Sequence, residues 1–153
     1  MTASAFTIYS RNKDDININD IVGATVKVAL VSSAYSPSTD SATGNSVWAD
    51  ASGSEISGGN GYTTGGATLT TPVATAIAGG FKYVTDNVVW TATGGAIPAW
   101  RYAVVYVSGS LWGLTNPLIG YLIGDNTPAD IPSTTDTNTL TLTVPSGGWF
   151  SVS

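Results

Sequence analysis

Apolar positions along this chain fall in short runs, not in stripes of helical period. In Thr25-Val26-Lys27-Val28-Ala29-Leu30-Val31, Val26, Val28 and Leu30 share one face of a predicted strand, which Tyr35-Ser36-Pro37 ends. The two most apolar runs, Trp100 to Val107 and Pro117 to Ile123, are rich in β-branched and aromatic residues and bounded by Gly, Pro, Ser and Asn. Ser108-Gly109-Ser110 and its neighbours predict that they form a hairpin. Ala67 to Val73 alternates, with Pro72 favouring a sheet edge or a strand end. Phe81 to Val84 and Val88 to Trp90 are separated by Asp86-Asn87, a turn or bulge signal. Thr139 to Val144 has a clean period of two, and Trp149 to Val152 follows Gly147-Gly148. No window holds a helical period over two turns. The pattern predicts an all-β, single-domain antiparallel β-sandwich or jelly-roll-like barrel over residues 21–153.

Two stretches stand outside that pattern. Residues 1–20 are polar and aperiodic, and read as an extended N-terminal arm or a frayed, flexible segment, with Asp20-Ile21 opening a short helical turn. As an arm, Met1 to Asp20 should be removable without loss of the fold. Residues 36–61 read as a long Ser/Gly/Asp-rich loop pinned by Val47 and Trp48, and loops of that length in compact domains are functional or disordered. The tryptophan argues against disorder: it either plugs a cluster beneath the loop or contacts a partner.

Composition narrows the chemistry. The 153 residues suit one domain with a core of its own. There is no cysteine and no histidine, which removes disulfides, thiol chemistry and the side chain most used as a general base near neutral pH. Charged residues are 10 % of the chain, against roughly 25 % in typical soluble domains. The net charge is −5, and the five basic residues, Arg11, Lys13, Lys27, Lys82 and Arg101, are scattered, so no nucleic acid partner is expected. No basic start precedes an apolar stretch, and the segment Leu111 to Gly124 is too short and too interrupted to span a bilayer, so neither a signal peptide nor membrane association is expected.

The remaining motifs read as structural or as binding surface. Gly58 to Gly66 has the glycines of a phosphate loop without its Lys-Ser/Thr ending or its strand–loop–helix setting, so tight turns explain it. Glu55 is the single glutamate, and nothing singles out a carboxylate pair for glycoside hydrolysis. Asp40, Asn45, Asp50 and Asp125 match no calcium-loop spacing. No catalytic, cofactor or metal residue is assigned, and no enzyme is expected. Trp90, Trp100 and Trp149 fall in or beside strands and read as core. Trp48, Tyr62, Arg101 and Trp112 are the candidate interface residues: Trp48 and Trp112 as loop or turn aromatics, Tyr62 among the glycines and also folded against the core edge, and Arg101 as a cation between Trp100 and Tyr102. For Arg101 the alternative is a stem lying along the sheet with the guanidinium on a carboxylate or carbonyl of its own chain.

The series Val26-to-Pro37, Glu55-Ile56-Ser57-Gly58, Gly61-to-Leu69, Val88-Val89-Trp90, Arg101-to-Tyr106 and Pro117-to-Tyr121, in that order, resembles a family of small tailed-phage virion structural proteins. Leu122-Ile123-Gly124-Asp125 departs from the acidic residue, aromatic and Gly that relatives carry there, and 91–98 is richer in Gly. The resemblance implies a capsid decoration or cement protein, made in the host cytoplasm and placed on the outer capsid surface of the virion. It implies the major capsid protein as partner and a homo-oligomer, a trimer. The alternative is a tail or head-fibre component that recognises a host surface glycan through exposed aromatics such as Trp48 and Trp112.

Overall fold

The structure, a computed structural model, describes residues 3–127 and 129–153. Its strands in chain order are β1 Thr7–Ile8, β2 Val26–Val31, β3 Ala67–Thr68, β4 Val73–Ile77, β5 Gly80–Val84, β6 Val88–Thr91, β7 Tyr102–Val107, β8 Ser110–Leu111, β9 Leu114–Thr115, β10 Leu118–Ile123, β11 Thr139–Leu142 and β12 Phe150–Val152. Two short helices join them, α1 Ile18–Gly23 and α2 Ala49–Ser52, with one 3-10 turn at Ser10–Asn12. Every strand pairing is antiparallel. The chain is an all-β, β-sandwich-like domain, as the apolar pattern predicts. Among the described residues, no helix is long and apolar enough to cross a membrane.

The organising element is a five-stranded sheet in the order β1-β10-β7-β2-β3. Its central strands are apolar at nearly every position because both faces are covered, a condition that erases polar alternation. On one face Val26, Val28 and Leu30 of β2 and Ala103, Val105 and Val107 of β7 meet Trp90, Tyr83, Leu142 and Phe150 from the smaller sheets β11-β6 and β12-β5-β4. On the other, Ala29, Val31, Val104, Tyr106 and Leu118 are covered by Tyr9, Tyr35, Trp48 and Ala51. The sandwich therefore has a third, partial layer made of loop.

Residues 3–20 are built into the domain, which corrects the arm expectation; its Met1 and Thr2 lie outside the described residues. Thr7 and Ile8 pair with Tyr121 and Gly120 on the edge of the main sheet. Tyr9 is fully buried, and the buried Asn12 side chain donates to the carbonyls of Ser46 (2.6 Å) and Leu118 (2.9 Å). Burying Tyr9 against the second face of the sheet outweighs the polarity that made the segment look detached. Asn17 then caps α1, its side-chain oxygen accepting from Asn19 N–H at 2.9 Å, and the helix buries Ile18 and Ile21.

The run Ala67 to Val73, expected as one strand, is two. Thr71 has φ of 53° and Pro72 lacks an N–H, so the chain breaks after β3 and restarts on a different sheet as β4. The glycines before it serve geometry: at Gly66 φ is 79°, and a Cβ would lie 2.0 Å from the Val28 carbonyl oxygen. The chain can approach β2 that closely only without a side chain. Between β7 and β10 a second, miniature hairpin is inserted, β8–β9, which the predicted Ser108–Ser110 turn did not include.

Candidate functional site

The four candidate interface residues do not converge. Trp48 enters α2 from the loop, is 9 % exposed, and lies flat on Tyr106 with ring centroids 4.6 Å apart and an interplanar angle of 5°. It plugs the loop cluster, and its stacking faces are not offered to a partner, which corrects the interface expectation for this residue. Its backbone is fixed as well, Trp48 N–H donating to the Asn116 carbonyl at 2.8 Å. Tyr62, 2 % exposed, is likewise corrected to core: its hydroxyl donates to Glu55 Oε1 (2.8 Å) and accepts from Leu30 N–H (3.0 Å). The same Glu55 oxygen accepts from Gly65 N–H at 2.7 Å, so the single glutamate anchors the glycine-rich turn.

Arg101 and Trp112 are half-buried and lie beyond opposite ends of β7, Arg101 just before it and Trp112 in the turn of the β8–β9 hairpin after it. Arg101 Nε donates to Asp130 Oδ1 at 2.7 Å, with side-chain exposures of 27 % and 43 %. A pair that open to water contributes about 0–1 kcal/mol and chiefly positions the strap around Asp130. The intramolecular carboxylate is the partner that the in-chain reading of Arg101 anticipates.

Trp112 is the unusual one. With Gly113 it forms the two-residue turn of the β8–β9 hairpin, and both have positive φ, 54° and 72°. Such turns favour Asn-Gly or Gly-Gly, because a left-handed conformation costs a residue bearing a Cβ about 1–2 kcal/mol. The indole Nε1 donates to Asp20 Oδ2, in the first turn of α1, at 3.4 Å, and the ring partly packs against the main core. A strained, tethered, half-exposed tryptophan thus caps one end of the sandwich.

The three aspartates weighed as calcium ligands are occupied as acceptors for their own loops. Asp40 Oδ1 accepts from Ala42 N–H, Thr43 N–H and the Thr43 hydroxyl; Asp50 Oδ2 accepts from Ser46 and Val47 N–H; and Asp125 Oδ1 accepts from the Thr127 N–H and hydroxyl. The backbone N–H groups of Thr43 and of Thr127, first among these donors, hold the Asp40 and Asp125 carboxyls below their ordinary value. Asn45 accepts from the Tyr35 hydroxyl (2.9 Å), and Tyr35 takes a hydrogen bond from Tyr9 (2.7 Å), which ties the covering loop to the N-terminal segment. Among the described residues, no three His, Cys, Asp or Glu side chains gather where they would hold a metal ion.

The burial of Trp48 makes a measurable distinction. Trp48→Ala is expected to destabilise the fold by about 3–5 kcal/mol in denaturant unfolding, since it empties an aromatic site in a packed cluster. An unchanged midpoint would return the residue to the list of surface anchors.

Sequence reasoning missed a different surface feature. Val73, Ile77, Phe81 and Val152 are exposed in the sheet β12-β5-β4, Val73 and Ile77 on one face and Phe81 and Val152 on the other. The signal was there: no charged residue occurs from Ile56 to Phe81. No family model matches the chain, and neither does any curated protein or any solved structure.

Proposed function

We propose that the chain is a virion structural protein that binds the outer face of a phage capsid shell as a cement protein, stabilising it by bridging capsomers. The ordered strand segments that resemble the phage virion family support this reading, as does a surface poor in charge, whose contacts lose little to salt. The observation that carries it is Trp112. A bulky residue kept in a left-handed turn, where Asn or Gly would be less strained, and left half-exposed beyond its contacts with Asp20 and the core, supports a role for the side chain in contact with another protein. Aromatic anchors of this kind dominate protein contacts. Glycan recognition needs aromatic faces lining one groove, and with Trp48 buried, Trp112 stands apart from such a partner.

The test is binding of purified protein to source particles stripped of it. Gold-labelled antibody on intact particles is expected to mark the head. Trp112→Asn is expected to keep its thermal transition within a few degrees, because relief of turn strain offsets lost packing, and to bind stripped shells at least about tenfold more weakly. Label confined to the tail would replace shell binding with host recognition. Label on the head with unchanged Trp112→Asn binding would keep the shell and discard this anchor.

A further inference from the structure

Thr71, in the link between β3 and β4, stands against two backbone preferences at once. It is β-branched and precedes Pro72, yet its φ is 53°. A β-branched residue at positive φ is a genuine outlier, and a proline pushes the residue before it towards extended backbone. Strain of that kind gathers at active sites, where it is part of the mechanism. The groups around Thr71 are those of a reaction. Its hydroxyl donates to Asp86 Oδ2 at 2.5 Å, and the Asp86 N–H donates back to the Thr70 carbonyl oxygen at 3.0 Å. The Thr70 hydroxyl reaches the same carboxylate oxygen at 3.3 Å.

We propose that these groups cut their own chain once, between Thr70 and Thr71. Positive φ is what brings the attack within reach. At ordinary negative φ, Cβ points away from the preceding carbonyl carbon. At 53° it stands gauche to that carbon, and the hydroxyl can close a five-membered ring on it. Thr71 Oγ1 adds to the Thr70 carbonyl carbon while its proton passes to Asp86 Oδ2. The Asp86 N–H hydrogen-bonds the oxygen on which negative charge gathers. The C–N bond then breaks, and Asp86 returns the proton to the leaving Thr71 nitrogen. This leaves an ester between the Thr70 acyl group and Thr71 Oγ1. Water, with open access to this exposed link, hydrolyses the ester to a Thr70 carboxylate and a Thr71 hydroxyl beside its free amine. Breaking that bond also removes the torsion in which the strain is held.

Thr137 serves as an internal comparison. It too is a threonine at positive φ, 70°, but among the described residues its hydroxyl forms no hydrogen bond and no N–H meets the Asp136 carbonyl. The nucleophile, its base and the carbonyl donor come together at Thr71 and not there. The cut frees the end of β3, in the main sheet, from the start of β4, in the smaller one. The two pieces stay one body, because the pairings of β1 with β10 and of β2 with β7 join residues on either side of the break. The reaction is a single event per chain with no substrate turned over, and it stands whether or not the chain binds a shell.

The experiment follows the purified full chain at neutral pH by denaturing electrophoresis and intact mass, with and without hydroxylamine, which captures the ester. The expected result is two pieces, 1–70 and 71–153, whose masses without hydroxylamine sum to the chain plus one water and which elute together under native conditions. Hydroxylamine also opens Asn-Gly bonds, so the second piece must begin at Thr71 and not at Gly61. The same chain unfolded in urea is expected to stay whole, because nothing then holds Thr71 at positive φ. Thr71→Val is expected to stop the cut, Thr71→Ser to keep it, and Asp86→Asn to slow it at least about a hundredfold. A folded wild-type chain that stays intact in hydroxylamine overturns the proposal, as does a cut that persists in urea. So does a cut that survives Thr71→Val, as a contaminating protease would give, or one that Asp86→Asn leaves at its wild-type rate.

Discussion

Raising the pH from 10 to 12 is expected to unfold this domain in one cooperative transition, with tyrosinate absorbance rising as the circular dichroism is lost. Five of the tyrosines, Tyr9, Tyr35, Tyr62, Tyr83 and Tyr106, are buried in the two core clusters. Burial is the largest cause acting on each, and it raises every phenol above its ordinary value of 10.0, those of Tyr35, Tyr83 and Tyr106 to about 12 and those of Tyr9 and Tyr62 further. The folded chain therefore keeps protons that the unfolded chain releases. Stability is complete below pH 10 and is lost as the pH climbs through the raised values. Each phenol that ionises only on unfolding contributes about 1.4 kcal/mol per pH unit, the five together about 7, against a typical total of about 5–15 kcal/mol. Tyr83→Phe gives an internal check. Among the described residues the buried Tyr83 hydroxyl has no hydrogen-bond partner, so its removal sacrifices none and is expected to move the midpoint to higher pH. Ionisation of more than two of the seven tyrosines at pH 11 in a chain with native circular dichroism would refute the account, since Tyr102 and Tyr121 lie outside the buried five.

Deleting residues 1–20 is expected to abolish the fold, not to trim an arm. The deletion removes Tyr9, an aromatic buried side chain worth about 3–5 kcal/mol when truncated in a core. It strips Asn12 from the Ser46 and Leu118 carbonyls, and unpaired buried groups cost about 1–3 kcal/mol each. It also removes Ile18 and exposes the β10 edge that β1 covers. Those losses together rival the stability of an ordinary domain. A truncated chain with dispersed amide resonances and an unchanged thermal transition would restore the arm.

How legible the sequence was depended on how many faces a segment buries. β2, β7 and β10 are covered on both faces, so their runs were continuous and found almost to the residue. β6 and β11 alternate because each has one wet face, and they too were found. β4 was not: alanine and threonine pack weakly, the strand is an edge, and its assigned beginning was cut by the turn at Thr71. β1 is two residues long and has no period to show. Trp48 and Tyr62 carried a signal of importance, but an aromatic in a loop reads alike whether it anchors a partner or roofs a sheet. The loop's path back over Val104 and Tyr106 decides between them, and that path is tertiary.

The pairing of β1 with β10 also sets an order of events. Thr7 meets Tyr121, and Tyr9 N–H reaches the Ile119 carbonyl at 3.1 Å, so β1 has no partner until β10 has left the ribosome. β6 likewise waits for β11, Thr91 for Thr139. A topology closed by such distant partners folds slowly, because long loops must be ordered before any contact rewards them. During that interval the open β4 edge is within reach of neighbouring nascent chains. Yield of this protein in cells will therefore follow the rate of synthesis, with slower translation at lower temperature giving the larger soluble fraction.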